Sequence, residues 1–422
     1  MDRTRTLGKT PVTLLAAGIA IALTQPVFAQ QPAGDDARAV DMATVTVTGY
    51  RESLQKSLDE KRYSVEQVDA IFAEDIGKFP DQNLAESMQR IAGISIDREG
   101  GEGQRISVRG LGSDFTRVRL NGLEALATAG SGSAGVNRSR GFDFNTFASE
   151  LFSQVKVNKT QSAQMDEGSL GSTVDLRGSR PFDFDGFELS ASMKGSYATQ
   201  SESYDPNGDI LISNRWNTGA GEIGALLNLS YTSLRYLDSV RWDSGGIVAV
   251  DGQSADPAIQ GARYPDAVGI FYGTGERWRP SANLALQWRP NDQWEFYVDA
   301  LYQGYRNKIS DRQFIVPLNH ETTRFEDVAL RNGRNEIQSL TQIAGRRPEQ
   351  WQGASTGKTN TWQAAVGGSY NAGPLQIAFD LARTDSTYEF SNYSFDTAFI
   401  HAPVTLIDFD TPGEDGGATF EF

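Results

Sequence analysis

Only a few stretches of this 422-residue chain set reactive side chains at spacings that chemistry uses. "GASTGKT" (353–359) has the glycines, lysine and threonine of a phosphate-cradling loop. Such a loop needs four residues between its glycines and a helix after it; three separate Gly353 from Gly357, and strand-like sequence follows. "DPNGD" (205–209) is oxygen-rich like a calcium loop but lacks the distal glutamate. His320 and His401 are the only histidines, neither has a second nitrogen or sulfur ligand nearby, and cysteine is absent. No nucleophile–base pair emerges. Neither enzyme catalysis nor a metal or other cofactor is expected.

"ATVTVTGYRES" (43–53) offers a different chemistry, that of the backbone. Thr44, Val45, Thr46, Val47 and Thr48 favour an extended chain, and Gly49 ends it. No neighbouring strand is available to pair with them, so a row of N–H and C=O groups stays open, which proteins usually suppress. A partner can add a strand to such an edge, with main-chain hydrogen bonds supplying the affinity. The polar run "QQPAGDDARAVD" (30–41) keeps the segment accessible. The competing possibility is an ordinary edge strand of the domain that follows.

The elements around these residues begin with an export signal. Arg3, Arg5 and Lys9 precede an apolar run over 12–23, and Val27 and Ala29 occupy the −3 and −1 positions of a cleavage site. The run is too short for a spanning helix, so 1–29 is expected to be removed. The formal charge of −15 then becomes −17, since Asp2, Arg3, Arg5 and Lys9 leave together. That balance argues against a nucleic-acid partner, whose phosphates need a basic surface.

Two grammars follow. Residues 63–181 read as a small α+β domain. "RESLQKSLDEKR" (51–62) before it is weakly amphipathic. In "DQNLAESMQRIAG" (81–93), Asp81 caps a helix, Leu84, Met88 and Ile91 share a face, and Gly93 stops it. Short strands come next in "GISIDRE", "RISVRG" and "TRVRLNG", and a polar glycine-rich loop lies at 127–141. Residues 182–422 change to long alternation. "WRPSANLALQWR" sets Trp278, Ala282, Leu284, Leu286 and Trp288 against Arg279, Ser281, Asn283, Gln287 and Arg289. Seven such strands are expected at about 186–199, 208–216, 222–235, 278–289, 293–306, 358–371 and 374–390, with an eighth beginning at "GATFEF". Their apolar faces end in Trp, Tyr or Phe. Tight turns alternate with the long connections 235–277 and 307–357, the rhythm of an outer-membrane barrel. About eight strands enclose only their own side chains, whereas a barrel that holds a domain has about 22. The chain therefore reads as the first seven or eight strands of a larger transmembrane barrel, and residues 391–422 as too acidic and glycine-rich to close it.

"NLAESMQRIAGISIDREGGEGQRISVRGLGSDFTRVRLNG" (83–122) resembles the plug of the TonB-dependent outer-membrane receptors, and "EGSLGSTVDLRGSRPFDF" (167–184) resembles the plug's exit into the first barrel strand. The wording is similar to a subgroup common in xanthomonads and caulobacters. The resemblance implies an α+β plug domain followed by an antiparallel transmembrane β-barrel in a Gram-negative outer membrane. It makes 44–49 the TonB box, gripped by the periplasmic domain of TonB, within a flexible segment 30–62. It implies that Arg109 and Lys159 lock the plug to the wall by pairing with acids that come from later strands, which this chain lacks. It also implies that the turn Gly110, Gly112, Ser113, Asp114 and Phe115 points outward toward substrate, as does the loop 127–141.

The implied activity is proton-motive-force-coupled uptake of a scarce nutrient, with outer-membrane lipid and an extracellular ligand as further partners. Trp242, Trp278 and Trp351 favour an oligosaccharide by stacking on sugar rings; an iron chelate is the alternative. A transducer would need an extra domain of about 80 residues before the box, where only fourteen lie between Ala29 and Thr44. A passive porin or adhesin would need neither box nor plug.

Overall fold

The computed structural model describes residues 48–72, 83–126, 140–163, 165–244, 247–249, 256, 259, 261–409 and 417–422. The expected signal peptide, Thr44 to Val47 of the expected box, and 127–139 of the glycine-rich loop lie outside the described residues.

Helix α1 spans Thr48–Tyr63. Thr48 and Gly49, expected to end an extended segment, are therefore helical. The run 50–63 contains neither Pro nor Gly and is rich in Glu, Lys, Arg, Leu and Gln, so the helix propagates back through them. Strand β1, Val68–Phe72, follows; five residues without clear alternation had given no strand signal. Helix α2 is only Leu84–Met88, and its cap is Asn83, whose side chain accepts from Glu86 N, rather than Asp81. It stops well before Gly93, because the chain turns there to bury Ile91 and enter the next strand.

Strands β2 (Ile94–Glu99) and β3 (Glu102–Val108) form a two-stranded hairpin of their own. Gly100 and Gly101 make its turn with φ of 58° and 81°, which only a two-residue turn of glycine-like residues accepts readily. Next come β4 (Thr116–Leu120), β5 (Leu123–Glu124), β6 (Phe152–Asn158) and β7 (Ser172–Gly178). They join β1 in a five-stranded sheet of order β1-β6-β7-β4-β5, in which β4 and β7 are parallel. Alternate residues Val118, Leu120, Val155, Val157, Val174 and Leu176 turn one face into a core with Leu84, Met88, Phe144, Phe147 and Leu151. Each such side chain contributes about 1.5–3 kcal/mol by leaving water.

The second half holds β8 (Glu188–Ala198), β9 (Ser203–Thr218), β10 (Gly221–Asp243), β11 (Ile247–Ala249), β12 (Arg263–Pro265), β13 (Ala267–Asn291) and β14 (Trp294–Pro317). It continues with β15 (Arg324–Leu330), β16 (Ile337–Ala344), β17 (Glu349–Ala372), β18 (Leu375–Ala398), β19 (Thr405–Asp408) and β20 (Thr419–Glu421). All seven expected strands are present as one antiparallel sheet of order β18-β17-β14-β13-β10-β9-β8, the wall. Several run far longer than expected, to 25 residues in β13. The long connections shrink accordingly to 244–266 and 318–348. Once Glu222 pairs with Arg289, the ladder zips without interruption to Asp243 and Val268. Glycines on the inner face help it pass large rings: a Cβ at Gly275 would lie 2.2 Å from the Tyr236 ring.

One expectation fails here. "GATFEF" does not start an eighth wall strand, because β20 pairs with β19 in a separate four-stranded sheet, β15-β16-β19-β20. Residues 391–398, part of the stretch read as unable to close the barrel, extend β18 against β17. Pairing with a long neighbour outweighs their local composition.

The wall is two-faced. Leu227, Leu229, Leu284, Leu286, Trp288, Ile377, Phe379 and Leu381 are exposed on its outer side. Trp288, Phe296, Trp294 and Tyr370 form an aromatic belt at the short-turn end, with successive ring centroids 4.6–5.5 Å apart. Tyr302 and Trp362, 4.3 Å apart, lie partway up the same face, and Trp278 lies nearer the long-connection end. From Trp288 to Trp278 along β13 is about 34 Å, or about 26 Å once tilted, the height of a barrel's apolar band. No helix among the described residues is long and apolar enough to cross a membrane.

Candidate functional site

The expected lock residues meet each other rather than the wall. Arg109, with φ of 56°, ends β3; its Nη1 donates to the Lys159 carbonyl at 2.9 Å and its Nη2 to Gln67 Oε1. Lys159 is buried, and its Nζ donates to Asp69 Oδ2 at 2.5 Å and to the Ala92 carbonyl at 2.6 Å. Lys61 of α1 takes the other oxygen of Asp69 at 2.7 Å. Partial burial works against the Asp69 charge, but hydrogen bonds from Lys159 and Lys61 outweigh it and hold the carboxyl below its usual range. Among the described residues, neither Arg109 nor Lys159 pairs with a wall carboxylate. The chain entering β1, a strand invisible in the sequence, brings Gln67 and Asp69 within their reach.

The turn expected to face substrate lies at this same end. Ser113–Phe115 is a single 3-10 turn with Gly112 as its cap, Gly110 has φ of 77°, and Phe115 is 45% exposed. Asp114 Oδ1 accepts from Gly141 N at 2.8 Å, and the Phe115 carbonyl accepts from Gly171 N at 2.9 Å. These residues sit beside Arg109, a full strand length from the Glu99–Glu102 turn at the other end of β3.

It is that far turn that engages the wall. Glu102 is fully buried, and its Oε1 accepts from Arg277 Nη1 at 2.9 Å and from Arg279 Nη2 at 2.5 Å. Both arginines are buried and project from β13 toward the small domain. Arg277 Nη1 also reaches the Glu99 and Gly100 carbonyls at 3.0 and 3.3 Å, and Arg279 Nε reaches the Asn145 carbonyl. Asn83 Nδ2 donates to Glu102 Oε2 at 3.3 Å, so the residue that caps α2 touches the same carboxylate. Guanidinium planes lie over aromatic rings: Arg277 is 4.7 Å from the Tyr236 centroid and Arg279 is 5.6 Å from that of Tyr305. Nearby, Arg105 pairs with buried Asp143 at 3.0 Å, and burial pushes the Asp143 carboxyl up to about 6 despite that partner.

Lower down the wall, Arg180 binds Asp299 at 2.5 Å, Phe182 N donates to Gln287 Oε1 at 2.7 Å, and Asn283 Nδ2 donates to the Ser179 carbonyl at 3.3 Å. The inner face is otherwise hydroxyl and amide, with Ser230, Ser281, Gln303, Thr361 and Gln363 buried against the small domain. Alternation along β13 had placed Arg279 on this face. What it could not show was that Glu102, 177 residues away, would meet it.

The remaining candidates are occupied by structure. Asp205 lies in β9 and accepts from Arg235 N and Nε at 2.8 and 2.9 Å. Residues 353–359 lie inside β17, and His320 Nδ1 pairs with Thr322 Oγ1 at 2.8 Å. Among the described residues no three His, Cys, Asp or Glu side chains are grouped to hold a metal ion.

Residues 60–173 match the family model for the TonB-dependent receptor plug domain. Among solved structures, the chain is similar to a ferric enterobactin receptor of Pseudomonas aeruginosa at 13% identity, with a TM-score of 0.39, covering 82% of this chain and 57% of that one. It is similar to the ferric citrate transporter at 14% identity and a TM-score of 0.36, covering 84% and 62%. For the hemophore receptor of Serratia marcescens the values are 10%, 0.34, 84% and 62%. The chain thus spans about three-fifths of these structures' length, and likenesses this weak carry no argument. The chain carries a TonB-dependent receptor plug domain, followed by a long-stranded antiparallel sheet packed against it.

Proposed function

We propose that the chain serves in an outer-membrane receptor that takes up a scarce nutrient by active transport. Exported by 1–29, it sets the seven wall strands across the outer membrane, with short turns in the periplasm and long connections outside. The periplasmic domain of TonB grips 44–49, pulls, and rearranges part of the plug so that ligand passes. The observation that carries this reading is a matched plug domain seated on the polar inner face of a wall whose outer face is an apolar band with an aromatic belt at the short-turn end. Both β8 and β18 end the sheet with an unpaired edge among the described residues. Such an edge is costly in lipid, which supports reading these seven strands as the first part of a larger barrel. The proposed division stays at 30–62, 63–181 and 182–422, with Thr48–Tyr63 of the first segment helical. Assignment to the xanthomonad and caulobacter subgroup rests on wording alone.

For the ligand, an oligosaccharide is the first reading. Trp242 and Trp351 share the inner face of the wall at the long-connection end, as the parity of β10 and β17 requires. Trp278 faces outward under Lys308 and gives no support. An iron chelate is the second reading, favoured by the buried arginines facing the plug.

The test is a pull-down of the full chain with the periplasmic domain of TonB, comparing wild type with Val45→Pro. Proline cannot donate to a strand ladder, so binding should be lost. Equal binding by both forms would move the contact elsewhere, and no binding by folded wild type would revive a passive barrel.

A further inference from the structure

The junction around Glu102 is unbalanced in charge. Two guanidinium groups, 1% and 2% exposed, share one carboxylate that is fully buried. The adjacent Arg105–Asp143 pair is neutral in sum; beyond the groups in direct contact, Glu99, Asp238 and Asp311 add negative charge around the junction. Arg277 Nε is buried with no acceptor at all. A buried donor without a partner is costly, and a cation without its counter-charge more so.

The two sides of this junction also differ in how firmly they are held. The arginines rise from the middle of β13, which is paired along its length with β10 and β14. Their stacking on Tyr236 and Tyr305 fixes them without help from Glu102. Glu102 belongs to β2–β3, a two-stranded sheet separate from the five-stranded one. Its Ile94, Ile106 and Val108 are packed into the plug core, which leaves the turn end around Glu99–Glu102 as the part that can move. Its turn is reachable from the long-connection end, where Gly101 is exposed.

We propose that Arg277 and Arg279 form an anion-binding fork for the ligand, that Glu102 occupies the fork as an internal stand-in, and that a ligand bearing carboxylate or phosphate takes it as the turn end of the β2–β3 hairpin moves off. This rests on the receptor reading and narrows its ligand to an acid-bearing one: an acidic sugar or a chelate with free carboxylates. It also gives ligand binding a direct effect on the plug. A ligand that satisfies both arginines and Arg277 Nε removes the hairpin's main tie to the wall, while Asn83 passes the release to the cap of α2.

Calorimetry on the folded full chain at low salt tests this, with citrate and inorganic phosphate as anionic probes and glucose as the neutral control. Glu102→Gln vacates the charge, and citrate or phosphate should bind it at least about tenfold more tightly than wild type. Adding Arg279→Met should erase the gain, and glucose should bind neither form through this site. Whichever of citrate and phosphate binds more tightly identifies carboxylate or phosphate as the preferred group. In wild type, the better probe should speed amide exchange over residues 99–104, a readout that stands even if Glu102→Gln fails to fold. Unchanged anion affinity in folded Glu102→Gln, or unchanged exchange in wild type at saturating probe, overturns the proposal. No energising partner takes part, so loss of TonB binding with anion binding intact would count against the receptor reading alone.

Discussion

The two ends of β3 are held by the same kinds of side chain in opposite ways. At the Glu102 end, a carboxylate and two guanidinium groups are sealed between plug and wall with almost no exposure. At the Arg109 end, the charges stay within the plug: Arg109 itself is exposed, and Asp69 is shared by Lys159 and a largely solvated Lys61. A buried network costs heavily when broken, whereas a half-exposed one is screened and contributes little. The comparison teaches that the plug is tied tightly to the wall at its outer hairpin and clasped only to itself near the N-terminal entry.

The largest expected effect is at the sealed end. Glu102→Leu strands two buried arginines and should cost about 3–5 kcal/mol in denaturant unfolding of the detergent-solubilised chain. Adding Arg277→Met and Arg279→Met should recover most of that loss, since an apolar trio of similar volume leaves no charge unpaired. If the triple variant is as unstable as the single, the junction does not act as a unit and the contrast with the clasp fails. At the other end, Lys159→Met leaves Asp69 with Lys61 alone and should cost about 1–2 kcal/mol by the same assay.

The two ends should also part company with pH. The Asp69 carboxyl is held below its usual range, so its contribution is present above the unfolded value and fades only as pH falls through the lower folded one. The Asp143 carboxyl is pushed up to about 6, so its contribution is complete below the unfolded value and is lost as pH rises through about 6. Unfolding midpoints from pH 7 to 5 should therefore include a gain that Asp143→Asn removes and Asp69→Asn does not. The smallest effect is expected at His320, whose ring meets only Thr322; His320→Ala should change stability by less than about 0.5 kcal/mol.

The wall was legible because alternation over ten or more residues has one interpretation. Leu284, Leu286 and Trp288 had to lie opposite Asn283 and Gln287, and they do. The ends of the strands were not legible, since residues 235–243 and 267–277 become strand by pairing with each other rather than by their own pattern. Within the plug, the short strands in "GISIDRE", "RISVRG" and "TRVRLNG" were legible, but β1 was missed, and with it the acid that captures Lys159. The resemblance named Arg109 and Lys159 as lock residues whose acidic partners come from later strands; among the described residues they bind Gln67, Asp69 and each other. The hub at Glu102 was out of reach. Each of its residues was in view, but the contact joins segments more than 170 residues apart, and no local signal carries that.

Amide exchange of the hairpin 94–108 tests the contrast most directly, measured in the full chain for wild type, Glu102→Gln and Lys159→Met under one condition. The account predicts much faster exchange over 99–104 in Glu102→Gln and little change there in Lys159→Met, whose added exchange falls instead on 68–72. Equal acceleration of the hairpin by both variants, or none by Glu102→Gln, would contradict it.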